Sequence, residues 1–190
     1  MQPAHLDLVI TRGMTWRKLL KIMQPVYEYK PITSINQTAP LTLTVDHGLP
    51  LEHWPVWIEA STSSALNSDK ARQRARMARV IDAQTIELNG INGHSVNATS
   101  GYLVYQLPVD FAGCTASMVF SGPHDDIELT VTAGINLGIG FIDVELTAAQ
   151  AAALTDKSAY KLWVIHPNGD QINWLCGEVS IHDCKDNRLC

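Results

Sequence analysis

Long hydrophobic runs, closely paired cysteines and catalytic signatures are all missing from this chain. No apolar stretch approaches the roughly 18 residues that a membrane-spanning helix needs. Met1-Gln-Pro-Ala-His5 lacks the charged start and apolar core of a signal peptide, which predicts synthesis and assembly in the cytoplasm. The formal net charge of -5 speaks against a whole-domain nucleic-acid binder, whose footprint is strongly basic. There is no Gly-x-Ser-x-Gly elbow, no His-Glu-x-x-His helix and no phosphate-cradling Gly-rich loop. Gly134, Gly138 and Gly140 have the wrong spacing for a dinucleotide fingerprint. What is abundant is apolar material in short pieces. With 46% hydrophobic residues over 190 positions, the chain buries on the order of 70% of its unfolded surface, enough for one large domain or two small ones.

The stretch from Phe141 to His182 carries the clearest pattern. Ile142, Val144 and Leu146 alternate with Asp143 and Glu145, the period of two expected of a half-buried strand. Thr147 and Gln150 then form a capping-box pattern that starts a short helix through Leu154. Tyr160 to Ile165 alternates again, Pro167-Asn-Gly-Asp170 makes a turn, and Gln171 to Ile181 returns, so a hairpin is predicted. Within its second arm the alternation slips: Ile172 and Trp174 share one phase, whereas Leu175, Val179 and Ile181 take the other. A bulge is therefore expected near Trp174–Gly177. Earlier in the chain, Thr42–Pro50, Trp54–Ile58, Ala78–Leu88 and Ser100–Val104 form short alternating runs separated by Gly, Pro and Asn.

These segments resemble two known families. Ile142–Leu154 with Leu175–Ile181 is similar to the closing half of a β-sandwich domain of tailed-bacteriophage structural proteins, the N-terminal domain of baseplate upper proteins. Leu6–Trp16, with its Arg-Gly turn, resembles the opening half, and Pro108–Val119 resembles a further strand of the same family, with Phe111 and Ala112 in place of the usual leucine and threonine. The His47-Gly-Leu49 turn and Val80–Leu88 resemble a small β-barrel recurrent in phage tail proteins, first named as the first cysteine half-domain of ubiquitin-activating enzymes. The phage copies of that module carry no ubiquitin chemistry.

The resemblances imply an all-β, nested architecture. Residues 1–35 and 107–190 form an immunoglobulin-like β-sandwich with one short helix, and 36–106 form an inserted small β-barrel. The implied function is that of a non-enzymatic virion structural protein, a tail or baseplate-region adaptor that docks fibres or other tail proteins. It would be assembled in the host cytoplasm in multiple symmetric copies, beside tail, fibre, portal, collar or capsid subunits. No cofactor, membrane or direct nucleic-acid contact is expected. A capsid decoration or collar protein is the alternative within assembly, and a host-glycan-binding module the alternative from another class.

Several residues are candidates for the working surface. Lys70, Arg72, Arg74, Arg76 and Arg79 put five cations within ten positions of an otherwise acidic chain. Arg72, Arg74 and Arg76 share a face if the segment is extended; Arg72, Arg76 and Arg79 share one if it is helical. A solvated edge that resists strand pairing explains them equally well. Trp54 and Trp57 flank Pro55, and an exposed tryptophan there suits an interface or a stacked sugar. Trp16, Trp163 and Trp174 fall in sandwich strands, where core burial is expected. His47 and His53 read as loop residues making local hydrogen bonds. Asp125, Asp126 and Glu128 read as a solvated turn and strand start rather than a glycosidase pair, since adjacent strand residues point to opposite faces. Cys114 reads as a small buried thiol, and Cys176, Cys184 and Cys190 as reduced thiols without the short paired spacing of a zinc site.

Overall fold

The computed structural model describes residues 3–121 and 126–183. Over these residues the chain is all-β with one short helix. It divides into two compact units, one made of residues 1–22 and 110–190, the other of residues 23–109.

The first unit is a β-sandwich. It opens with β1 (Ala4–His5), β2 (Leu8–Thr11) and β3 (Trp16–Lys21). The second unit supplies β4 (Met23–Pro31), β5 (Ser34–Asn36), β6 (Leu41–Thr44), β7 (His53–Glu59), β8 (Arg76–Val80), β9 (Thr85–Leu88) and β10 (Tyr102–Pro108). The chain then returns to the sandwich as β11 (Thr115–Ser121), β12 (Ile127–Thr130), β13 (Ile135–Gly138), β14 (Phe141–Leu146), α1 (Ala148–Ala153), β15 (Ala159–Ile165) and β16 (Gln171–His182). One sandwich sheet runs β1-β16-β15-β11-β12, with β2 also on β16; the other is β13-β14-β3.

The strand alternation read along 141–182 is present. Ile142, Val144 and Leu146 are buried, and their neighbours are half-exposed. Thr147 caps α1 through a reciprocal capping box: its hydroxyl oxygen accepts from the Gln150 N–H at 3.3 Å, and the Gln150 amide oxygen accepts from the Thr147 N–H at 2.9 Å. The β15–β16 turn closes with the His166 N–H on the Asp170 carbonyl at 2.9 Å, and Gly169 sits there at φ +88°. Leu162 pairs with Leu175 but Trp163 pairs with Asn173, so Trp174 is the extra residue of a bulge. The bulge brings Ile172, opposite buried Val164, and Leu175, opposite buried Leu162, to the same face although they lie in opposite phases; Leu175 is buried and Ile172 half-buried. Past it, Gly177 passes so close to the chain between β1 and β2 that an added Cβ would lie 2.3 Å from the Leu6 carbonyl oxygen. The Tyr160 hydroxyl donates to that same carbonyl.

The second unit is a curled sheet of order β4-β10-β7-β8-β9-β6-β5. Its two ends are consecutive parts of one chain segment. Ile32 donates to the Gly101 carbonyl on the β10 side, and the next residue, Thr33, donates to the Thr44 carbonyl on the β6 side, both at 2.9 Å. Successive residues thus bond opposite neighbours, which curls the sheet into a small barrel. Leu41, Leu43, Val56, Ile58, Ile86 and Leu103 fill its interior with no exposed surface. Alternation explains this, since every second residue of β6, β7 and β9 is apolar and buried.

The junctions differ from the boundaries expected at 35/36 and 106/107. They fall at 22/23 and 109/110, because Met23–Pro31 pairs with β10 rather than with a sandwich strand. Its sequence hides this: Tyr27 and Tyr29 take the outer register, while Glu28 and Lys30 stand opposite Tyr105 and Leu103. Over Tyr27–Lys30 the apolar phase is therefore the reverse of an ordinary barrel strand.

Candidate functional site

The two tryptophans singled out near Pro55 lie on opposite faces of β7. Trp54 is fully buried in the barrel, and its indole N–H donates to the Pro50 carbonyl at 2.8 Å. It is a core residue, not a surface anchor. Trp57 is half-buried on the outer face, meets Tyr27 edge to face at a centroid distance of 5.7 Å, and donates from its indole nitrogen to the Gln73 carbonyl at 3.0 Å. Trp16, Trp163 and Trp174 are each only half-buried, contrary to the core burial expected of them. Trp16 spends its N–H on the Val9 carbonyl at 3.0 Å, and Trp174, displaced by the bulge, packs edge to face on buried Phe111 at 5.7 Å.

The arginine run is neither one strand nor a helix. Lys70–Gln73 is a turn held by Asp69, whose carboxylate accepts from the Ala71 N–H at 2.8 Å; β8 begins only at Arg76. The cations consequently diverge. Arg72 lies 3.6 Å from Asp69 and is highly exposed, and Arg74 is exposed beside it. Arg76 donates to the Ala65 carbonyl at 3.2 Å, and Arg79 faces Glu87 at 3.7 Å across β8 and β9. No single face carries Arg72, Arg74 and Arg76 or Arg72, Arg76 and Arg79.

Lys70 goes somewhere else. Its ammonium lies 2.9 Å from a Glu59 carboxylate oxygen, 5.0 Å from the Tyr29 ring centroid and 5.6 Å from that of Tyr27. The Tyr29 hydroxyl and the Glu59 carboxylate raise the Lys70 pKa, so the group stays charged. Strand register explains the assembly. Tyr29 and Trp57 both stand opposite Val104 on neighbouring strands, and Tyr102 stands opposite Glu59. Val104 is buried between them on the outer face, while Tyr29 and Tyr102 are each 47% exposed. Tyr27, Tyr29, Tyr102 and Glu59 were not distinguished in the sequence. Tyrosines two apart in a strand at 27 and 29 were the available signal, but only the pairing of β4 with β10 and β10 with β7 brings them to Trp57.

Beside this face an open hollow of about 640 Å³ is lined by Glu59, Lys70, Arg72, Gln73, Asn67 and neighbours. Its lip includes Ala60 at φ +52°, a conformation that costs energy for a residue with a Cβ. A smaller hollow of about 370 Å³ lies on the sandwich, where Arg17 bridges Asp143 at 3.1 Å and Glu145 at 3.4 Å.

His47 is buried, not merely a loop residue with local bonds. Its Nδ1 accepts from the Leu49 N–H at 2.9 Å, which leaves Nε2 as the donor to the Asp82 carbonyl at 2.9 Å. Burial lowers its pKa. His53 is exposed at the start of β7. Cys114 is half-buried just before β11, with its sulfur 3.5 Å from His166 Nδ1; burial and Asp110 raise the thiol pKa, which keeps it protonated. Cys176 is a free half-buried thiol on β16, and Glu128 accepts from the Ser117 hydroxyl at 2.8 Å. Asp125, Cys184 and Cys190 lie outside the described residues. Among the described residues, no three His, Cys, Asp or Glu side chains are grouped to hold a metal ion. No protein-family model matches the chain, and no curated protein matches it.

Proposed function

We propose that the protein is a non-enzymatic structural component of a tailed-bacteriophage virion, an adaptor of the tail or baseplate region that docks fibres or other tail proteins. The observation that carries this reading is the nesting of two separately cored β units on one chain, the barrel leaving the sandwich after β3 and rejoining it before β11. An adaptor needs two surfaces with independent folds behind them, and a nested chain tethers the second unit at both ends. The segments resembling baseplate and tail modules support the same assignment. The mechanism is geometric: neighbours hold the sandwich in symmetric copies, and the barrel offers a second surface to the docked component.

Purified particles of the encoding phage test this by quantitative mass spectrometry and by electron microscopy of a nonsense mutant. The expected results are a fixed copy number per particle and a mutant particle lacking a tail-tip or fibre component. Absence of the protein from mature particles overturns the reading, and a defect confined to the head moves the role to capsid decoration.

A further inference from the structure

We infer that the outer face of the barrel is a carbohydrate-binding platform, on which Tyr29 and Tyr102 stack against sugar rings and the Lys70–Glu59 pair bonds their hydroxyls. The inference is independent of the assembly role. Three adjacent strands, β4, β10 and β7, turn Tyr27, Tyr29, Tyr102 and Trp57 outward together. Tyr27 and Trp57 are half-buried, and Tyr29 and Tyr102 keep 47% of their surface in water. Large aromatic surface left open costs solubility unless something covers it.

The charge beside these rings distinguishes the occupant. Lys70 and Glu59 lie 2.9 Å apart beside these rings, with side chains only 27% and 30% exposed. Protein interface cores are depleted in Lys and Glu, because both must be desolvated. A hydroxyl-rich ligand makes the opposite demand. Each hydroxyl donates once and accepts as well, so a fixed ammonium donor beside a fixed carboxylate acceptor serves neighbouring hydroxyls while an apolar ring face rests on tyrosine. The ion pair also remains in place before the ligand arrives, since Lys70 is held against Tyr27 and Tyr29. Next to it the hollow of about 640 Å³ has the size of a small-ligand site and adds Arg72 and Gln73 as further polar groups. Gln73 is itself fixed, because its carbonyl accepts from Trp57 and its amide oxygen from the Asp69 N–H at 2.8 Å.

The test is a printed array of hexose, N-acetylhexosamine and uronic-acid oligosaccharides probed with the full chain, followed by calorimetric titration of the best probe. At least one probe is expected to bind. Tyr29→Ala and Tyr102→Ala should each weaken it about tenfold, the loss expected for one aromatic stacking contact, with thermal unfolding unchanged. Tyr102→Phe should retain binding, and Glu59→Gln should weaken it. Arg17→Ala, on the sandwich, should leave it unaltered. No binding by any probe at millimolar concentration overturns the inference. So does binding that survives both tyrosine truncations, or a protein partner held at this face with no oligosaccharide competing for it.

Discussion

Tyr105, on the inner face of β10, donates its hydroxyl to the backbone carbonyl of His47, tying the loop after β6 to the opposite wall of the barrel. Both residues are buried, and burial pushes the phenol pKa up to about 12, so it stays a donor at any physiological pH. Tyr105→Phe removes the donor and leaves the carbonyl unsatisfied, at a cost of about 1–3 kcal/mol. Urea unfolding should show a lower midpoint with an unchanged slope.

His47 should make the barrel acid-sensitive. The unfolded imidazole takes up a proton around its ordinary value of 6.5, whereas the buried ring has a lower pKa and its Nδ1 already accepts from Leu49. Below about pH 6.5 the unfolded state therefore binds more protons, so stability is complete above that value and declines as pH falls through it. Comparing urea midpoints at about pH 7.5 and about pH 5.5 in wild type and His47→Asn checks this. The wild type should lose more on acidification; equal slopes would refute the assignment.

Truncating the two β7 tryptophans should give unequal results. Trp54→Ala opens a cavity in the barrel core and should cost about 3–5 kcal/mol. Trp57→Ala removes a half-buried outer ring and should cost no more than about 2 kcal/mol. Differential scanning calorimetry of the two variants separates them.

Gly177→Ala should loosen the amino-terminal strands. The added methyl would meet the Leu6 carbonyl at 2.3 Å, and relief requires moving backbone that β1 and β2 bond to β16. A destabilisation of about 1–3 kcal/mol is expected, with faster hydrogen exchange at the β2 amides than in wild type.

The junctions at 22/23 and 109/110 predict which fragment folds. A peptide of residues 23–109 keeps β4 on β10 and should unfold cooperatively on heating. A peptide of residues 36–106 lacks β4, and with it Ile32 and Thr33, whose N–H groups join the β10 and β6 sides. Circular dichroism should show little cooperative β structure in the shorter one.

The sequence by itself determined the features that depend on residues a few positions apart. The Thr147–Gln150 cap, the β15–β16 turn and the bulge at Trp174 are each encoded by local hydrogen-bonding groups or by a slip in alternation, and each was readable before the fold. Runs of period two marked the β-strands, while the nesting of one unit in the other was what the family resemblances implied. Tertiary structure alone decided which strand each run pairs with. β4 is read as sandwich material until its register on β10 is known, because its tyrosines face out and its Glu28 and Lys30 take the other side. Trp54 and Trp57 look alike in sequence; the phase of β7 buries one and leaves the other on the outer face. The arginines look like one patch until Asp69 turns the chain and Asp69, Ala65 and Glu87 each hold a different cation. Side-chain neighbours in a curled sheet come from strands many residues apart, and that pairing is a property of the closed fold rather than of any short window.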